Sequence, residues 1–111
     1  MDTHGNRDFR GQVLEKVKHI VLGNLSGKAC KVYLFGSWAR AEEKRSSDID
    51  IAVEFAPYET AAHALLTNLR EALEESTIPY KIDVVNLNTA DAIIANKVRK
   101  EGILWGGLKN E

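Results

Sequence analysis

Lys31-Val32-Tyr33-Leu34-Phe35-Gly36-Ser37, followed after ten further residues by Asp48-Ile49-Asp50-Ile51-Ala52-Val53-Glu54-Phe55, is the stretch from which the architecture of this chain can be read. The first run is β-branched and aromatic and stops at a glycine, which marks a short strand over 31–35 ended by a turn. The second alternates acidic or small residues with apolar ones over 48–55, the period of two that belongs to a strand with one buried face, and Pro57 ends it. Between them, residues 37–44 read as a short helix or a turn.

Working upstream, Phe9, Val13, Val17, Ile20, Val21 and Leu25 recur at helical spacing and predict a first helix over about 8–26, closed by Gly27. Downstream, Ala61, Ala64, Leu65, Leu69, Ala72 and Leu73 mark a second long helix, with His63, Arg70, Glu71, Glu74 and Glu75 on its solvated face. A third strand follows Pro79 over 80–87. A last helix spans about 90–100, capped by Thr89 or Asn88, with Ala92, Ile93 and Val98 as apolar positions and Gly102 at its end. Lys97, Arg99 and Lys100 complement the C-terminal dipole of that helix. The element order is αβ(α)βαβα, an α/β (α+β) fold with a small mixed three-stranded sheet and helices packed on it.

With 111 residues, 44% hydrophobic and 28% charged, the composition is that of one ordinary globular domain, over 8–108 after a flexible start at 1–7. Fifteen basic against sixteen acidic residues leave a net charge of -1, so no global field draws in nucleic acid and any polyanion site must be local. The single cysteine, Cys30, adjoins an apolar run and reads as a buried structural thiol in a reducing, cytoplasmic compartment. No apolar run approaches the roughly 20 residues of a membrane span, so no membrane association is expected.

Two features share the central stretch. Gly36-Ser37 directly after a strand can turn free backbone N–H groups and a hydroxyl toward an anion. Asp48 and Asp50 stand two apart, so both carboxylates fall on one side of the strand while Ile49 and Ile51 point to the other. Like charges held side by side are relieved by a hard divalent cation. Asp83, flanked by Ile82 and Val84, becomes a third acidic ligand if its strand is adjacent. Three carboxylates beside a phosphate-cradling turn would equip the site for two-metal phosphoryl transfer. Mg²⁺ suits all-oxygen ligands better than Zn²⁺, since His4, His19 and His63 have no ligand spacing with them.

Gly36-Ser37, ten residues, then Asp48-Ile49-Asp50 resembles the GS-x10-DxD signature of the DNA polymerase β-like nucleotidyltransferase superfamily. Gly36-Ser37-Trp38-Ala39-Arg40 with Ser47-Asp48-Ile49-Asp50-Ile51 is similar, more narrowly, to the minimal nucleotidyltransferases (MNT), antitoxin-type proteins that pair with HEPN-domain partners. The resemblance spans about residues 9–105 and implies a minimal nucleotidyltransferase fold. It implies that Gly36 allows close backbone approach, that Ser37 donates to the β- or γ-phosphate, and that Ser47 belongs to the nucleotide site. Asp48 and Asp50 would bind two Mg²⁺ ions, and Asp83 would complete the metal site nearest the nucleophile and help deprotonate an acceptor. Arg40, with Lys44 and Arg45, would neutralise the triphosphate; the alternative for Arg40 is a pair with Glu42, Glu43 or Glu54. Ala41 stands where the family often has glycine, so a turn needing positive φ there is expected to relax.

The implied activity is transfer of a nucleoside monophosphate, AMP from ATP, to a hydroxyl of a HEPN-domain toxin in a hetero-oligomer. Two alternatives are a non-catalytic inhibitory binding module that masks the partner, and a small-molecule transferase of the aminoglycoside-modifying kind whose acceptor domain comes from another chain. Trp38 and Trp105 finish an apolar surface rather than stack on a base, and an exposed Trp38 beside the cradle would be a partner contact.

Overall fold

Ile49–Phe55, the strand of period two, is an inner strand of a four-stranded sheet in the computed structural model, which describes residues 2–107, with side chains from Phe9 onward. The elements are α1 (Asp2–Asn24), β1 (Cys30–Phe35), β2 (Ile49–Phe55), α2 (Ala62–Glu74), β3 (Ile82–Asn86), α3 (Ala92–Glu101) and β4 (Ile103–Gly106). The strand order is β3-β2-β1-β4. β1 is antiparallel to both β2 and β4, and β2 runs parallel to β3 across the α2 connection, so the sheet is mixed.

The expected three-stranded sheet therefore gains a strand. Ile103-Leu104-Trp105-Gly106 pairs along the free edge of β1, with a register shift between Val32 and Tyr33. The short helix allowed for residues 37–44 is a turn, in which Ala39 and Arg40 donate to the Gly36 carbonyl and Glu42 donates to the Ser37 carbonyl. At the start, the helix begins at Asp2 rather than near residue 8; Met1 and residues 108–111 lie outside the described residues.

Alternation in β2 sorts the two faces. Ile49, Ile51, Val53 and Phe55 are buried with Val13, Val17, Val21 and Leu25 of α1 and Leu66, Leu69 and Leu73 of α2. Each such aliphatic side chain taken from water contributes roughly 1.5–3 kcal/mol. On the opposite face Ala52 and Tyr33 pack with Leu87 and with Ala95 and Val98 of α3. Ile93, expected among the apolar positions of that helix, is instead exposed, since the face meeting the sheet is set by Ala95 and Val98. Phe9, expected on the apolar stripe of α1, is likewise exposed.

Caps and ties fix the connections. Asp91, not Thr89 or Asn88, caps α3 by accepting from the Ile93 N–H at 2.8 Å. Asn88 bonds both backbone groups of Phe55, and the Thr89 hydroxyl donates to the Asn86 carbonyl, so these two close the turn after β3. Arg70, expected on a merely solvated face, donates to the Val84 carbonyl at 2.8 Å and so ties α2 to the strand at the sheet edge.

Candidate active site

The site forms where β1 ends and β2 and β3 begin. Antiparallel register sets Phe35 opposite Asp50, and parallel register sets Asp83 opposite Asp50. Paired residues on neighbouring strands share a face at a strand spacing of roughly 4.8 Å, so Asp83 and Asp50 stand side by side. The adjacency that the third carboxylate required is therefore supplied by the β2–α2–β3 unit. Asp48 precedes the strand, while Ile49 and Ile51 are fully buried in the opposite face, so the carboxylates are held at a rigid edge.

Gly36 is the other wall. Its φ is 77°, and a Cβ there would collide with Asp50 Oδ2, so only glycine lets the chain turn this close to the carboxylate. Ser37 follows, half-buried. Ala41 does not relax as expected: its φ is 58°, so the turn keeps the left-handed geometry with a side chain in place.

Electrostatics single out Asp50. Burial pushes its carboxyl above the ordinary range, and the charges of Asp83 and then Asp48 push it the same way. The donors are all carboxylate oxygens, a set that fits a hard cation such as Mg²⁺. Among the described residues, no group of three or more His, Cys, Asp or Glu side chains is placed to hold a metal ion as it stands, so the fit to a cation rests on the chemistry of the donors alone.

The expected phosphate contacts are placed unequally. Arg40 pairs with Glu42 at 3.0 Å, and both side chains are at least half exposed, so the pair is weak and readily exchanged for a phosphate. Lys44 and Arg45 are exposed on the same loop. The Ser47 hydroxyl accepts from the Lys44 N–H at 2.8 Å and closes the turn before Asp48. Trp38 is 3% exposed and belongs to the core, edge-on to Tyr80 at 5.0 Å, which removes it as a partner contact. Trp105 is partly buried against the same core.

Lys97, read from the sequence as a complement to the dipole of its helix, also lines, with Gly36, Arg40 and Glu101, a hollow of about 30 Å³ beside the turn. Arg10 and Glu43, 33 residues apart, meet at 2.6 Å behind the loop. A larger hollow of about 310 Å³, lined by Leu22, Leu25, Cys30 and Val32, lies toward the other end of β1 and takes no part in the site. Cys30 is buried there, and burial first, then the charge of Glu59, raises its thiol above the ordinary range, as suits a structural residue.

The chain matches the family described as Polymerase beta, Nucleotidyltransferase over residues 15–105. A relative in Methanocaldococcus jannaschii that bears the provisional name protein adenylyltransferase MJ1215 is 37% identical over 78 residues, which are 70% of this chain and 85% of that one. Among solved structures, a chain in the crystal structure of a toxin-antitoxin with AMP-PNP superposes with a TM-score of 0.59 at 29% identity, covering 83% of this chain and 74% of that one. A chain in the complex of tri-AMPylated Shewanella oneidensis HEPN toxin with MNT antitoxin superposes with a TM-score of 0.55 at 26% identity, covering 90% and 74%.

Proposed function

Since this chain belongs to the Polymerase beta, Nucleotidyltransferase family, we propose that it transfers AMP from ATP to a hydroxyl of a HEPN-domain partner protein and acts as the antitoxin of that pair. The observation that carries the reading is the meeting of Gly36 with Asp50 while Asp83 stands in register beside Asp50: a phosphate turn and paired carboxylates at one point. The relative named as a protein adenylyltransferase and the solved complex with an AMPylated HEPN toxin support the choice of acceptor. The toxin-antitoxin structure with AMP-PNP supports the adenine nucleotide.

In this reading Gly36 lets the triphosphate approach the backbone, Ser37 donates to a β- or γ-phosphate oxygen, and Ser47 shapes the loop end beside it. Arg40 leaves Glu42 for the triphosphate, with Lys44 and Arg45 adding charge. Asp48, Asp50 and Asp83 would hold Mg²⁺, which would neutralise charge on the α-phosphate. Asp83, the exposed member, takes the proton of the acceptor hydroxyl. The acceptor oxygen then bonds to the α-phosphorus as the bond to the bridging oxygen breaks, and pyrophosphate leaves with the electron pair. A lone buried thiol supports a cytoplasmic setting.

The test is to co-purify the chain with its partner, add Mg²⁺ and ATP, and weigh both proteins intact. Adenylyl additions on the partner that disappear in Asp48→Asn are expected. Partner binding with inhibition and no transfer would replace the enzyme with a masking module, and an adenylylated small molecule would replace the protein acceptor.

A further inference from the structure

Arg10 lies on α1, outside the motif, yet its guanidinium is spent on the loop between Gly36 and Asp48. Nε donates to Glu43 Oε2 at 2.6 Å, and Nη2 donates to the Trp38 carbonyl at 2.5 Å and to Glu43 Oε1 at 3.3 Å. The Trp38 ring lies 5.6 Å from the guanidinium carbon. The Glu43 and Arg10 side chains are 17% and 34% exposed, so the pair is drier than an ordinary surface bridge. For Glu43, burial would raise the carboxyl, but the hydrogen bonds from Arg10 and from its own backbone, with the Arg10 charge, bring it below its ordinary value.

Trp38 extends the tie. It is buried in the core, its carbonyl sits one residue after Ser37, and its indole N–H donates to the Ser47 carbonyl at 3.3 Å, immediately before Asp48. The loop is thus pinned near its start at Trp38, at its middle by Glu43 and at its end by Ser47. The anchor behind Arg10 is firm, since Val13, Val17 and Val21 bury the same helix in the core. A loop already fixed loses little conformational freedom when a ligand binds, whereas a free one pays that cost each time.

We infer that Arg10 is a positioning residue for the nucleotide: clamped to Glu43 and the Trp38 carbonyl, it holds the 36–48 loop in the shape that receives a triphosphate. The inference rests on the nucleotidyltransferase reading above. It requires arginine, because one planar fork serves a carboxylate and a carbonyl together while stacking on an indole, and an ammonium cannot.

The experiment measures Mg²⁺–AMP-PNP binding to the full chain by calorimetry, well below the melting temperature of each variant, with circular dichroism confirming that each is folded. Arg10→Ala and Glu43→Gln are each expected to weaken binding by about tenfold, with the double variant no weaker than the worse single one. Arg10→Lys is expected to remain several-fold weak. Wild-type affinity in folded Arg10→Ala or Glu43→Gln, even with a lowered melting temperature, would reduce the clamp to a structural brace and overturn the inference. Full rescue by Arg10→Lys would overturn the positioning role in favour of charge alone. Should Arg10→Ala fail to fold, Glu43→Gln decides. Wild-type protein that binds no nucleotide would instead overturn the nucleotidyltransferase reading, and the inference with it.

Discussion

Ala41 keeps a left-handed backbone, φ 58°, that costs a residue with a Cβ on the order of 1 kcal/mol, and nothing in its exposed position recovers that cost. Ala41→Gly is therefore expected to stabilise the chain by about 1 kcal/mol in denaturant titration, with nucleotide binding unchanged. Asp50 shows the opposite economy, a residue kept unfavourable for use. Burial and then the charges of Asp83 and Asp48 hold its carboxyl above its ordinary 3.8, so the folded chain binds that proton more tightly than the unfolded chain. Its contribution to stability is thus greatest below the ordinary value and falls as pH rises toward and through the raised one. In metal-free buffer Asp50→Asn is expected to abolish that fall and to melt at a higher temperature than wild type at neutral pH, a comparison made by thermal melts across the carboxylate range. A variant that melts lower at neutral pH would show that Asp50 is not strained by its neighbours.

At the scale of elements, local patterns were legible and distant pairings were not. Asp48 and Asp50 were expected on one face because a spacing of two fixes it within a single strand, but β2 begins at Ile49, so the rule reaches Asp50 and not Asp48, which precedes the strand. Asp83 was legible only as a condition, which the parallel register of β2 and β3 meets. β4 carries four residues without a clear alternation, and its strand character comes from pairing with β1, a contact no local pattern announces. The Arg10–Glu43 bridge was invisible for the same reason. The capping choice at α3 failed more narrowly: Asn88 and Thr89 are good caps by type, but the Asn88 amide is bonded to the Phe55 backbone and the Thr89 hydroxyl to the Asn86 carbonyl, and Asp91 is the first such residue left to the helix. Asp91→Ala is expected to cost about 1 kcal/mol, a drop of roughly 4 °C in the melting midpoint. An unchanged midpoint would mean that packing of Ala95 and Val98 alone sets where α3 begins.

On the scale of the molecule, the site stands open at one end of the sheet. Asp83 is exposed, Asp48 and Asp50 are partly so, and the hollow beside Gly36 and Arg40 holds only about 30 Å³. The described residues there enclose no acceptor, which suits the proposed reading of a triphosphate along the loop and a hydroxyl presented by another protein. The near-balanced net charge fits the same picture, with Arg40, Lys44 and Arg45 on the loop beside three carboxylates rather than one field over the whole surface. The most direct measurement follows the phosphorus. With the co-purified partner, Mg²⁺ and ATP labelled in parallel on the α- or the γ-phosphorus, the proposed reaction predicts α-label on the partner, none from γ, and none in Asp48→Asn. Label from the γ-phosphorus, or none on the partner from either position, would contradict adenylyl transfer.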